Sequence, residues 1–253
     1  MERQKKQSWT NEARVGLFLC VLVVLVLAFE LVHRQHGLKN KPAEPVPVAA
    51  KPISAREISH GDATKKQIIF TFDGGSGAQS GEKILQVLAK HGVKGTFFLT
   101  GKFVEANPAL VKKMVAAGDE IFSHTYDHPY LTKETNDQID SELGGLETVL
   151  EKTAGLSPKP YFRPPYGDRD QRVLSEAFKD GYESVVWTVD AGDWEEPNGM
   201  TAAEVEKKIL SSLAPGNIYL MHVGDDITGQ ILDEVFTTIE SRGYKLVLLT
   251  QGL

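Results

Sequence analysis

From residue 67 onward, short apolar runs alternate with longer segments whose apolar positions recur every three or four residues. The first kind is the mark of a strand and the second of an amphipathic helix. Strands are expected over 67–72, 94–99, 120–122, 161–162, 184–189, 218–221 and 245–249. Helices are expected over 81–91, 108–117, 134–153, 171–179, 201–213 and 230–241. Asn107 and Pro108 open the second of these helices, because proline suits a first helical turn. Ile139, Leu143, Leu146, Val149 and Leu150 give the third a continuous apolar face. Seven strands alternating with six helices place the chain in the α/β class, with a mostly parallel sheet. The pattern leaves two architectures open, a doubly wound open sheet and a closed or nearly closed barrel.

The first 66 residues follow another pattern. Residues 15–29 carry no charge, and Leu31 and Val32 extend the run past Glu30. At about 1.5 Å per helical residue, such a stretch spans roughly 27 Å, close to the hydrocarbon thickness of a bilayer. Residues 15–32 are therefore expected to be a transmembrane anchor, with residues 1–14 cytoplasmic. A cleaved signal peptide is the rival. Val48-Ala49-Ala50 resembles a cleavage site but lies too far beyond the apolar core. Residues 33–66, rich in Pro, Ala and Lys, read as an extended linker. Residues 67–253 then form one domain, held outside the cytoplasm by the anchor, or secreted if the apolar segment is a signal. That domain has 17 Lys+Arg against 28 Asp+Glu, a net charge of −11, which argues against nucleic acid as a partner. Its lack of cysteine excludes a disulfide framework, since Cys20 is the only one in the chain.

The chemistry-bearing residues fall just after the expected strands: Asp73, the pair His124 and His128, Arg163, Asp190 with Asp193, and His222. Each alone has an ordinary structural explanation: a turn aspartate, surface histidines, an ion pair, a helix cap or a core histidine. In parallel α/β folds, however, functional groups gather at the carboxyl ends of strands, so five such ends can converge on one pocket. These residue types suit metal-assisted hydrolysis. Two histidines with a carboxylate or water hold a divalent ion that polarises a carbonyl and acidifies bound water. A carboxylate takes the water proton, a histidine protonates the leaving group, and an arginine keeps the carboxylate ionised.

Five segments, in order, resemble the motifs of the polysaccharide deacetylase family, carbohydrate esterase family four. They are Thr71-Phe72-Asp73-Gly74-Gly75, Ser123-His124-Thr125-Tyr126-Asp127-His128-Pro129, Phe162-Arg163-Pro164-Pro165-Tyr166-Gly167, Trp187 through Trp194, and Leu220-Met221-His222. The resemblance covers essentially all of residues 67–253. It implies a distorted (β/α) barrel of about seven parallel strands. It implies Asp73 as general base, His222 as general acid, Arg163 holding Asp73 and Asp193 orienting His222. The Tyr166 N–H would bind the oxyanion, Trp194 and Leu220 would line the acetyl pocket, and His124 with His128 would bind a divalent metal, ordinarily zinc.

The implied activity is removal of N-acetyl groups from an N-acetylglucosamine- or N-acetylmuramic-acid-containing envelope glycan, peptidoglycan or chitin-like. One position departs: the family's third metal ligand is a second aspartate, and Gly74 stands there. Either the ion is held by the two histidines with waters or Asp73, or metal binding is lost and the domain only binds glycan. Deacylation of a lipid-linked sugar or an O-acetylated glycan is a further alternative.

Overall fold

The computed structural model describes residues 57–75 and 77–253. The expected anchor at 15–32 and most of the linker lie outside these residues. Among the described residues, no helix is long and apolar enough to cross a membrane. The fold already includes Glu57–Ile58 (β1), a segment expected as linker, because Ile58 is buried against Val185 and its neighbours.

The remaining strands are Gln67–Gly74 (β2), Thr96–Leu99 (β3), Glu120–Ser123 (β4), Tyr161–Phe162 (β5), Glu183–Val185 (β6), Val189–Asp190 (β7), Ile218–His222 (β8) and Lys245–Leu246 (β9). All pairings are parallel, in the order β1-β6-β5-β4-β3-β2-β8-β7, with β9 beside the start of β2. The helices are Gly81–His91 (α1), Gly101–Ala106 (α2), Pro108–Ala117 (α3), Asn136–Ala154 (α4), Gln171–Lys179 (α5), Ala202–Ser211 (α6), Asp226–Ser241 (α7) and Leu249–Gly252 (α8).

Three expectations need correction. The strand expected over 184–189 is two strands, β6 next to the β1 edge of the sheet path and β7 at the other edge. Only Val186–Thr188 join them, so the sheet must curl until its ends are neighbours. Val186 N–H donates to Ile58 O, Thr188 N–H to Ile218 O, and Thr188 Oγ1 to Ser59 O, tying both ends to one short segment. The result is a curled half-barrel of parallel strands, consistent with the expected distorted barrel. The strand expected over 245–249 stops at Leu246 and gives way to α8. Finally, α7 begins one turn earlier than its apolar pattern, because Ser80 Oγ receives the Gly229 N–H and donates to Asp225 O.

Strand alternation divides the core in two. Ile69 faces the barrel interior with Phe98, Phe122 and Ile218, while Ile68, Phe70 and Phe72 face the helices. Local signals set the helix ends: Thr135 with Gln138, and Thr201 with Glu204, form reciprocal capping boxes on α4 and α6.

Candidate active site

Asp73 and His222 are register partners on adjacent parallel strands β2 and β8. Both lie at strand ends, and the alternation that sends Ile69 inward also sends Asp73 to the inner face. They line a cleft of about 600 Å³ with His124, His128, Tyr166, Trp194 and Leu220. Arg163 and Asp193, both fully buried, stand behind it. Every site residue expected from the sequence therefore arrives at one place.

Arg163 organises one side. Its guanidinium donates to Asp73 Oδ1 at 2.6 Å, Thr71 Oγ1 at 2.9 Å, and the Val185 and Val186 carbonyls at 3.2 and 3.3 Å. Those two carbonyls face it because the chain leaves the ladder between β6 and β7. The guanidinium also lies 4.1 Å over the Phe98 ring. Burial pulls the Arg163 pKa down, and the Asp73 carboxylate opposes that shift. Its own carbonyl meanwhile accepts from His124 Nδ1 at 2.8 Å. A carbonyl can only accept, so His124 carries its proton on Nδ1 and turns the Nε2 lone pair to the cleft.

His124 Nε2 and His128 Nε2 are 3.1 Å apart. Two nitrogens bound to one tetrahedral zinc at ordinary bond lengths are separated by about 3.3 Å. The pair therefore fits two ligands of one divalent ion. Without a cation, His128 must donate a proton from Nε2 across the gap. Burial lowers the pKa of both rings, with His128 falling to about 4, so both are neutral and ligand-competent at ordinary pH.

The third position is not completed in the same way. Asp73 Oδ2 lies 3.4 Å from His124 Nε2. Among the described residues, the only three His or acidic groups with ligand atoms mutually within 4.8 Å are Asp193, His222 and Asp225. Gly74 continues the β2 ladder to Leu99, and a Cβ there would lie 2.6 Å from Leu99 Cδ2, in the helix-facing core. A Cβ on Gly75 would instead meet His128 Cδ2 at 3.7 Å.

His222 forms the other side. Its Nδ1 lies 3.0 Å from Asp193 Oδ1, and its backbone N–H donates to Asp193 Oδ2 at 2.7 Å. Thr228 Oγ1 donates to Oδ2 as well. The carboxylate fixes the proton on Nδ1 and leaves Nε2 free to face the cleft. Burial opposes the charged ring, but the hydrogen bond and charge of Asp193, helped by Asp73 and Asp225, raise its pKa to about 9. The compact group of Asp193, His222 and Asp225 is thus an imidazole paired with one carboxylate, with a second carboxylate nearby.

Among the described residues, the non-glycine residues with left-handed backbone are Thr125 (φ 68°), His128 (φ 65°) and Tyr166 (φ 58°), all in this site. Such backbone costs energy and persists where surrounding contacts determine it. Glu142 on α4 accepts the N–H groups of Tyr126 and Asp127 at 2.9 and 2.8 Å, and Thr125 Oγ1 accepts that of His128 at 3.1 Å. At Tyr166, which lines the cleft, the turn's hydrogen bonds run from Gly167 to Pro164 O and from Asp168 to Pro165 O. The sequence reading did not single out Thr71, Thr228 or Glu142. Thr71 stands in the first motif without an assigned role, and Thr228 and Glu142 lie outside every motif, since each acts through another residue.

A family model described as polysaccharide deacetylase matches residues 60–185. The chain is 37% identical to a peptidoglycan-N-acetylmuramic acid deacetylase of Bacillus subtilis, covering 73% of this chain and 70% of that one. It is 34% identical to a peptidoglycan-N-acetylglucosamine deacetylase of Bacillus cereus, covering 75% and 69%. It also superposes on a CE4 family pseudoenzyme from Bacillus anthracis with a TM-score of 0.73 and 30% identity, covering 79% of this chain and 69% of the other.

Proposed function

Because this chain belongs to the polysaccharide deacetylase family, we propose that it hydrolyses the N-acetyl amide of an envelope glycan containing N-acetylglucosamine or N-acetylmuramic acid. Water and the amide become acetate and a free amine. The relatives' named activities support this substrate class. The observation that carries the reading is the in-register pair Asp73 and His222, each backed by its own buried partner.

Asp73, fixed through Oδ1 by Arg163, takes the proton of the attacking water on Oδ2. The Tyr166 N–H receives the oxyanion that forms at the carbonyl. Leu220 and Trp194 enclose the acetyl methyl. His222, protonated at neutral pH, gives its Nε2 proton to the departing nitrogen, and Asp193 steadies the ring as its charge changes. His124 and His128 would hold a divalent metal, which when bound supplies Lewis-acid polarisation of the carbonyl. Zinc is the ion their nitrogens suit. The apolar segment at 15–32 would anchor this domain on the outer side of the membrane.

Acetate release from peptidoglycan and from chitooligosaccharides, with and without added zinc, tests this reading. Wild type releases acetate and Asp73→Asn does not. No release from either glycan under any divalent metal overturns it. A second reading is favoured by Gly74 and by the likeness to a pseudoenzyme: a glycan-binding domain without turnover. It predicts measurable binding of the same glycans with no acetate.

A further inference from the structure

Four large apolar side chains are exposed among the described residues, and three of them are Tyr130 (44%), Tyr166 (59%) and Trp194 (46%). Tyr166 and Trp194 line the cleft, and Tyr130 extends it outward. Exposed aromatics gathered at a cleft mouth mark a binding surface rather than scattered surface polarity. Here they form an ordered row. His128 meets the Tyr166 ring edge-on at 4.5 Å, Tyr166 stacks on Tyr130 at 4.2 Å and 14°, and Lys133 Nζ lies 4.2 Å over Tyr130.

The far end of the row is a cation without a counter-charge. Elsewhere, Lys102 is paired with Asp127 and Arg169 with Glu57. Lys133 is exposed, and among the described residues it forms no ion pair and is held by the Tyr130 ring alone. Cation–π contact positions the ammonium while leaving its N–H donors to solvent. In a domain with a net charge of −11, an unpaired, positioned cation beside the cleft is where an anionic ligand group is attracted rather than repelled.

We propose that Tyr166, Tyr130 and Lys133 form an outer subsite for a saccharide that carries a carboxylate, with the sugar packed along the exposed side of the aromatic row and the carboxylate at Lys133. This rests on the deacetylase reading and sharpens it. It makes the preferred glycan one with acidic sugars, such as alternating N-acetylglucosamine and N-acetylmuramic acid, over an uncharged chitooligosaccharide of the same length.

The test compares dissociation constants for those two glycans, by calorimetry at low salt, in the full chain. Wild type binds the carboxylate-bearing glycan about tenfold more tightly, and raised salt narrows the gap. Lys133→Gln brings the ratio close to one, Lys133→Glu inverts it, and Lys133→Arg retains it. An equal affinity for both glycans in wild type, or a ratio unchanged in Lys133→Gln, overturns the proposal. Acetate is assayed in the same samples. Its absence from both glycans counts against the deacetylase reading alone, while the binding ratio still judges Lys133.

Discussion

The two histidine-bearing sides of the cleft use one side-chain type in opposite proton states. His124 gives its Nδ1 proton to a backbone carbonyl, a neutral acceptor. His222 gives its Nδ1 proton to a buried carboxylate. Both rings are desolvated, which favours the neutral form. On the His124 side burial outweighs the opposing Asp73 charge, and the nearby Arg163 charge adds to the lowering. On the His222 side the carboxylates reverse it, and the pKa rises to about 9. The acceptor behind each ring, a carbonyl or a carboxylate, thus separates a neutral ring with a free lone pair from a charged ring with a proton to give. Backbone geometry divides the same way. The His128 loop is bent through left-handed residues and braced by Glu142, whereas His222 sits on a regular strand.

The comparison breaks most completely at Arg163, whose carbonyl orients His124 and whose guanidinium orients Asp73. Arg163→Met leaves the Asp73 carboxylate buried without its partner, and removing one member of such a pair costs about 3–5 kcal/mol. Denaturant melts should show that loss, together with loss of acetate release.

The next effect separates the two sides. Asp193→Asn keeps an acceptor for Nδ1 but removes the charge, so the His222 pKa falls from about 9 towards its ordinary value. The rate at pH 8 should fall about 10²-fold or more, as expected when a general acid is lost. The alkaline limb of kcat/KM should move down, and NMR titration of the ring reads the shift without turnover. The same group makes a stability prediction. Because its folded pKa is raised, its contribution is complete below about pH 6.5 and is lost as pH rises through about 9. Wild type should lose that increment in melts across this window, and Asp193→Asn should show less of it. A ring titrating at its ordinary pKa in wild type would end the contrast.

A smaller effect concerns the His124 side. Gly74→Asp drives a Cβ towards Leu99 and Phe103, so it should destabilise the fold by about 1–3 kcal/mol. Zinc affinity by equilibrium dialysis should not rise, because the side chain starts in the helix-facing core. A large gain in affinity would show that the β2 ladder opens at Gly74 to let a ligand turn towards the histidines.

The smallest effect is a control away from the cleft. Burial raises the Asp119 pKa to about 6, and its Oδ2 has no hydrogen-bond partner. Stability from this group is present below about pH 3.8 and lost as pH rises through about 6. Asp119→Asn should therefore stabilise the protein by about 1 kcal/mol at neutral pH, with no change in the His222 titration.

Much of this was legible in the chain. The strand and helix periods predicted most of the elements through α6 to within a few residues, missing β1 and the short α2, and the strand-end positions of Asp73, His124, Arg163 and His222 placed them for one site. The break at Val186–Thr188 was not legible, since an apolar run with one threonine reads as continuous strand. It arises only because the curled sheet brings β1 and β8 to either side of Thr188. The aromatic row escaped for a similar reason: Tyr130 and Tyr166 are 36 residues apart in sequence and meet only in the fold.

By itself the sequence determined which groups are available, which strand ends carry them, and that a glycine stands where an aspartate was expected. Those are local matters of residue type and period. Only the tertiary structure decided the proton state of each histidine, the direction in which position 74 points, and the pairing or isolation of each cation. Those depend on desolvation and on partners far apart along the chain, which a curled sheet creates and a linear pattern does not contain.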